Sequence, residues 1–265
     1  MDKNRIYKQE KVNNKMKRGE DKRGQVALFV IISIVLVSGI LIFFLVIKPN
    51  YFFESAGSSG FEGCIGDVVT QGIEELGVNG GFTNPEFSYQ YNGENFVYLC
   101  YTNEYYKTCT VQKALIKENF EMELERHLKD KIEFCYSNSL DELKAQGNQV
   151  ISGEIDYEIN FEPGSVITNI NAPTIVGSQS FKKFNIKTAS SVYDMVMLAT
   201  SIVQSESHYG DYEVTAAMIL HPDYTIRKMK QGEGTSLYVI ESELFKNKFQ
   251  FASRSLVFPP GNIIT

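Results

Sequence analysis

The sequence lacks the short motifs by which many enzymes are recognised. It contains no Gly-x-Ser-x-Gly, His-Glu-x-x-His or Gly-x-x-x-x-Gly-Lys sequence, which argues against the common hydrolase, metalloprotease and nucleotide-binding sites. It has no tryptophan, only three histidines and no Asn-x-Ser/Thr acceptor for N-glycosylation. We therefore predict no catalytic residue, no metal ligand and no cofactor. An enzyme with an unrecognised site is an alternative.

Charge is absent from one long stretch. The 22 residues from Val26 to Ile47 include no charged side chain. A helix of this length spans about 33 Å, compared with about 30 Å for the hydrocarbon core of a bilayer. We predict a transmembrane helix over residues 25–48, with the aromatic residues 51–53 at the membrane interface. A cleaved secretory signal is an alternative, but its apolar region is usually about 7–15 residues long.

The flanks of this stretch differ in charge. Residues 1–24 contain nine basic residues (Lys and Arg) and four acidic residues (Asp and Glu). The rest of the chain contains 17 basic and 28 acidic residues. A short basic tail on one side predicts a cytoplasmic N-terminus and an extracytoplasmic C-terminal domain. The protein is then a single-pass protein of the cell membrane, in contact with the lipid bilayer. The acidic outer domain argues against nucleic acid as a partner.

All four cysteines follow the apolar stretch. Cys100 and Cys109 flank the loop-like sequence YTNEYYKT, so we predict that they form one disulfide. Cys64 and Cys135 then form the other, joining two predicted helices. Free thiols and a zinc site are the alternatives. The cysteine spacings do not match the paired cysteines of a zinc site, and the histidines are scattered.

The pattern of apolar residues predicts an α+β fold, with helices and antiparallel hairpins beyond the transmembrane helix. Helical spacing occurs over residues 57–77, 111–135 and 190–207, and a short helix is predicted from Asn138 or Ser139. Hairpins are predicted at Asn92-Gly93 and at Pro163-Gly164, since both dipeptides favour tight turns.

The predicted organisation has five parts, with one continuous outer domain as the alternative to two subdomains. They are a basic tail (1–24), the transmembrane helix (25–48), a helix-hairpin-helix subdomain (49–146), a β-rich subdomain with one helix (147–256) and a loose tail (257–265).

Few residues stand out as candidates for a site. Tyr105 and Tyr106 lie inside the predicted disulfide loop, so we predict that they contact a partner, with ordinary packing as the alternative. Glu123 and His127 are four residues apart on a predicted helix and could face one ligand. Without a third ligand, a solvated helix face is the simpler interpretation.

The sequence KRGQVALFVII resembles the type IV prepilin-like signals of archaea, in which a basic stretch ends in Gly and cleavage follows. That resemblance implies processing between Gly24 and Gln25. Phe29 stands where the pattern usually has Glu. The chain also resembles a group of archaeal single-pass envelope proteins, which implies no particular activity. This second resemblance rests on the N-terminal segment together with CIGDVVTQGIEELGVNGGF, a helix that ends in Cys, and FQFASRS.

These observations lead to a hypothesis about function. We expect a membrane-anchored, extracytoplasmic protein that binds a partner, such as another envelope protein, or contributes to envelope structure. The alternatives are a pilin-like subunit processed after Gly24 and an extracytoplasmic enzyme with an unrecognised site. The sequence leaves the oligomeric state open.

Overall fold

The structure is a computed structural model that describes residues 30–39 and 49–257. The predicted basic tail, the processing site at Gly24 and Gln25, most of the predicted transmembrane helix and nearly all of the predicted loose tail lie outside these residues. The chain divides into two units between Ser58 and Ser59.

In the first unit, the described part of helix α1 is residues 30–39, and its apolar side chains, among them Ile31 and Leu36, are exposed. Across the described residues, no helix is both long enough and apolar enough to cross a membrane.

The predicted α+β class is confirmed by the remaining elements. The helices are α2 (Pro49–Gly77), α3 (Ile116–Ala145), α4 (Val192–Tyr209) and α5 (Val214–Leu220). The strands are β1 (Ser88–Tyr91), β2 (Glu94–Tyr101), β3 (Thr110–Val111), β4 (Val150–Ser152), β5 (Asp156–Glu162), β6 (Ser165–Val176), β7 (Gln179–Ala189), β8 (Tyr224–Lys230), β9 (Thr235–Ser242) and β10 (Lys248–Arg254).

The larger sheet has six strands in the order β1-β2-β10-β9-β8, with β3 paired to β2. Its pairs are antiparallel except β2 with β10, which run parallel. The β1–β2 turn occurs at Asn92 and Gly93, whose φ angles are both positive, as the predicted hairpin requires. The β2–β10 pair joins the two predicted subdomains across their boundary at residues 146 and 147.

The smaller sheet has four strands built around β6. Strands β4 and β5 pair along one side of β6, and β7 pairs along the other. Gly164, with a positive φ, turns β5 into β6 at the predicted Pro163-Gly164 hairpin. The outer edge of β5 is covered by α3, since the Ile159 N–H donates to Glu125 Oε1 at 2.8 Å and the Phe161 N–H to Glu121 Oε1 at 2.5 Å.

Helices α2 and α3 are joined by the Cys64–Cys135 disulfide, with Cα atoms 5.9 Å apart. Helix α4 contacts strands of both sheets, so that its apolar stripe lies in the main core. This stripe is formed by Val192, Met195, Val196, Ala199, Ile202 and Val203.

Two predictions of local structure need correction. The separate short helix expected from Asn138 or Ser139 is instead the last part of α3, which continues to Ala145 because Tyr136 and Leu140 extend its buried side. The helix expected from Val111 begins at Ile116. The short helix α5 and the strand β3 have too few residues to show a periodic pattern, and the sequence did not predict them.

Candidate interaction surface

The loop between β2 and β3 is closed by the second disulfide. Cys100 and Cys109 have Cα atoms 5.3 Å apart, and both side chains are buried. Both disulfides therefore have the pairing expected from the sequence. The closed loop holds Tyr105 and Tyr106 at the surface of the domain.

The last residue of β10 and the segment that follows it bind this loop along its length. The Thr102 N–H donates to the Arg254 carbonyl at 3.0 Å, and the Tyr106 N–H donates to the Leu256 carbonyl at 2.6 Å. In return, the Leu256 N–H donates to the Lys107 carbonyl at 3.0 Å. The disulfide and these main-chain bonds together tie the loop to the end of β10 and the residues after it.

Tyr106 has an unusual backbone conformation. Its φ is +60°, in the left-handed region that side chains other than Gly seldom adopt. Tyr106 is 74% exposed, and Tyr105 is 59% exposed. A residue held in this region costs about 1–3 kcal/mol, and such residues occur preferentially at functional sites. The loop thus presents an exposed aromatic ring on a fixed, strained backbone.

More aromatic rings lie at the base of the loop. The Tyr101 ring packs edge-on against Phe87 at 4.7 Å and against Tyr98 at 4.9 Å between centroids. Tyr89 also packs edge-on against Tyr98, at 6.5 Å. Burial raises the pKa of Tyr98, so its hydroxyl stays protonated at neutral pH and can share a hydrogen bond with Thr235. We call Phe87, Tyr89, Tyr101, Tyr105 and Tyr106 the aromatic surface.

Arg254 supplies a positive charge beside this surface. Its guanidinium lies over the Tyr101 ring, 5.5 Å from the centroid, and donates to the Tyr101 hydroxyl at 3.3 Å and to the Thr102 carbonyl at 3.2 Å. Its Nε donates to the Glu233 carbonyl at 3.2 Å. These contacts orient Tyr101 at the point where β2 becomes the loop.

A buried polar network lies behind the loop. Glu206, on α4, accepts hydrogen bonds from the Tyr238 hydroxyl and, at 3.2 Å, from the Ser253 hydroxyl, which is itself 3.5 Å from Cys109 Sγ. Burial raises the pKa of Glu206, and the charge of nearby Lys228 opposes that rise. The network links the centre of the domain to the disulfide loop.

A separate surface groove, about 380 Å³ in volume, crosses the outer face of the smaller sheet. Polar side chains line up across its strands, as in the row formed by Glu158, Asn169 and Asn185. An Asn185 Nδ2 to Asn169 Oδ1 hydrogen bond of 2.6 Å already uses part of this row. The groove is open to solvent, and its row of polar side chains is partly paired within the sheet.

The remaining candidates from the sequence do not form a common site. His127 Nε2 lies 2.6 Å from Glu75 Oε2 on α2, whereas Glu123 accepts from the Thr83 N–H at 3.3 Å. The predicted alternative, a ligand shared by Glu123 and His127, therefore has no counterpart in this geometry. Within residues 30–39 and 49–257, no group of three or more His, Cys, Asp or Glu is arranged to hold a metal ion.

Sequence reasoning missed Arg254 and Glu206. The position of Glu206 carried a usable signal, because it lies four residues after Ile202 on the apolar stripe of α4, where a charge is unexpected. Arg254 carried no such signal, since its partners are distant in sequence. Comparison with protein-family models, curated proteins and solved structures finds no match for this chain.

Proposed function

We propose that the protein is anchored in the cell membrane by one helix and binds another envelope protein through the aromatic surface of its extracytoplasmic domain. The observation that carries this proposal is the exposed side chain of Tyr106. The disulfide loop and the segment after β10 hold its backbone at φ +60°. A loop whose backbone is already held loses little main-chain conformational entropy on binding, and aromatic residues dominate the energetics of many interfaces.

The anchor is proposed from the uncharged run of residues 26–47 and the basic tail before it. Residues 30–39 of this run are helical and expose apolar side chains, which suits a lipid environment. Two disulfides are expected in an extracytoplasmic domain, because the cytoplasm keeps most thiols reduced.

The binding proposal is tested with the full-length protein in its native membrane. Wild type, Tyr106→Ala and Tyr209→Ala are chemically crosslinked, purified by an affinity tag and analysed by quantitative mass spectrometry. Tyr209 is a matched control, because it is a tyrosine 78% exposed at the end of α4, outside the loop. We expect Tyr106→Ala to lower recovery of a specific envelope protein by roughly tenfold or more. Equal recovery with both variants would refute the aromatic surface as the binding site.

The proposed topology is tested by adding protease outside intact cells. Residues beyond 48 should be digested and residues 1–24 protected, and protection of the large domain would reverse the orientation.

A pilin-like subunit is the second candidate, favoured by the sequence around Gly24 and Gln25. In a filament, the new amino group on Gln25 would lack the usual carboxylate partner, because Phe29 occupies its position. A buried unpaired charge costs several kcal/mol. We therefore expect the intact mass to retain residues 1–24 and sheared cell surfaces to show no filaments of this protein.

A further inference from the structure

We propose that Lys228 and Asp211 become joined by an amide bond between their side chains, with Glu206 as the residue that carries the protons. The bond would be a covalent crosslink formed by the chain itself, and it is independent of the proposed binding function. It would connect β8 to the segment that follows α4.

The three groups meet at one nitrogen atom. Lys228 Nζ contacts Asp211 Oδ1 directly and lies 3.5 Å from Glu206 Oε1. It also donates to the Tyr212 carbonyl at 2.9 Å, and it lies over the Tyr238 ring, 5.2 Å from the centroid. The Lys228 side chain is only 10% exposed and the Glu206 side chain 2%, so the nitrogen is largely shielded from water.

Glu206 is suited to accept a proton from this nitrogen. Its carboxylate is held by the hydroxyls of Tyr238 and Ser253, which keep Oε1 towards Lys228. Burial raises its pKa, which makes it a stronger base than a solvated carboxylate. Asp211 is half exposed, and its pKa is lowered because hydrogen bonds from Lys228 and Lys230 outweigh the effect of burial.

The reaction is a condensation with no change in oxidation state. The Lys228 ammonium passes a proton through Glu206 to the Asp211 carboxylate, and the neutral amine attacks Cγ of the resulting carboxylic acid, forming the C–N bond. One carboxylate oxygen of Asp211 then leaves with two protons as water, and these are the two protons lost by the nitrogen. Glu206 returns to its original state, and the charges of Lys228 and Asp211 disappear together.

Two features favour bond formation over a permanent ion pair. Effective concentrations reach about 10⁵–10⁸ M for well-oriented groups held in contact, which offsets the unfavourable condensation of an amine and a carboxylic acid in water. Lys230 Nζ lies 3.1 Å from Asp211 Oδ2, where its positive charge stabilises the negative charge that develops on that oxygen during the attack. The crosslink would close the segment that contains α5.

The test is intact-mass spectrometry of the full-length protein, reduced and denatured, followed by peptide mapping. We expect wild type to be lighter than its sequence mass by one water molecule. Trypsin should fail to cleave after Lys228, and one branched peptide should contain both Lys228 and Asp211. A wild-type protein at its full sequence mass, with cleavage after Lys228, would overturn the proposal.

Variants separate this crosslink from other losses of water. Lys228→Arg keeps the positive charge but lacks the amine, so it should have the full sequence mass. The matched control Lys246→Arg, at a 76% exposed lysine paired with Glu243, should still lose water. Water loss that persists in Lys228→Arg would refute the bond. Glu206→Gln should also have the full mass, and a complete crosslink in that variant would refute the role of Glu206. The wild-type branched peptide decides the question even if a variant fails to fold.

Discussion

Gly77, the last residue of α2, lies directly against the main-chain carbonyl of Lys248 at the start of β10. A Cβ atom at Gly77 would overlap the Lys248 carbonyl oxygen. Main-chain atoms of a paired strand cannot move aside as a flexible side chain can. The end of α2 can therefore approach the larger sheet only because residue 77 has no side chain.

Substitution of this glycine should destabilise the domain. We expect Gly77→Ala to lower the free energy of unfolding by about 1–3 kcal/mol, because the new methyl group forces the helix away from the strand. Gly63→Ala is the control on the same helix, since a Cβ there meets no atom within 4 Å. Alanine should stabilise α2 at that position by up to about 1 kcal/mol. Denaturant unfolding of both variants measures the difference, and equal effects would contradict this role of Gly77.

The two disulfides should differ in what their removal affects. They link residues separated by 71 and by 9 positions. The loop-entropy estimate gives roughly 4 kcal/mol of stabilisation for Cys64–Cys135 and roughly 3 kcal/mol for Cys100–Cys109.

Paired alanine substitutions test this difference by denaturant unfolding and by partner recovery. Binding is measured at a temperature where both variants are folded. We expect only the variant without Cys100–Cys109 to lose partner binding, because that bond closes the loop that carries Tyr106. Loss of binding to the same extent in both variants would argue against a local role for the loop.

Glu121 should stabilise the edge of the smaller sheet. Its carboxylate accepts from the Phe161 N–H at 2.5 Å and pairs with Lys117 at 2.8 Å. We expect Glu121→Ala to cost about 1.5–3 kcal/mol, because a charged acceptor is lost and a buried N–H is left without a partner. Glu118→Ala, at an exposed position one turn earlier on α3, should change the free energy of unfolding by less than about 0.5 kcal/mol.

Glu206 should make stability depend on pH. Burial raises its pKa in the folded protein above the usual 4.5, and the charge of Asp211 adds to the rise. The charge of Lys228 and the hydrogen bond from Tyr238 lower the pKa, but they do not cancel the effect of burial. The folded state then binds the proton more tightly. The stabilising contribution is complete below pH 4.5 and is lost as the pH rises through the folded pKa.

The test uses the Lys228→Arg background, which keeps the positive charge and cannot form the crosslink. Glu206→Gln cannot ionise, so we expect the stability of Lys228→Arg relative to the double variant to fall as the pH rises above 4.5. The slope should be at most about 1.4 kcal/mol per pH unit. Parallel denaturant titrations of both proteins between pH 4.5 and pH 8 measure it. A Lys228→Arg protein that gains stability over the double variant with rising pH would contradict the direction of the pKa shift.

Several elements were predictable because their cause is local. Asn92 and Gly93 both tolerate positive φ, which is the requirement of the tight turn they form. The apolar spacing of α4 and the β5–β6 hairpin at Gly164 likewise depend on neighbouring residues alone. The cysteine pairing followed from the loop between Cys100 and Cys109, which left one remaining pair.

The sequence by itself determined the α+β class, the two hairpin turns and the cysteine pairs, since each depends on local conformational preference or on elimination. Only the tertiary structure decided that β2 runs parallel to β10, and that Leu256 holds the main chain of Tyr106. It also brought Lys228 to Asp211 and Glu206. These contacts join residues that are far apart in the chain or that follow no periodic pattern. They arise because the whole core packs at once, so no short segment of sequence encodes them.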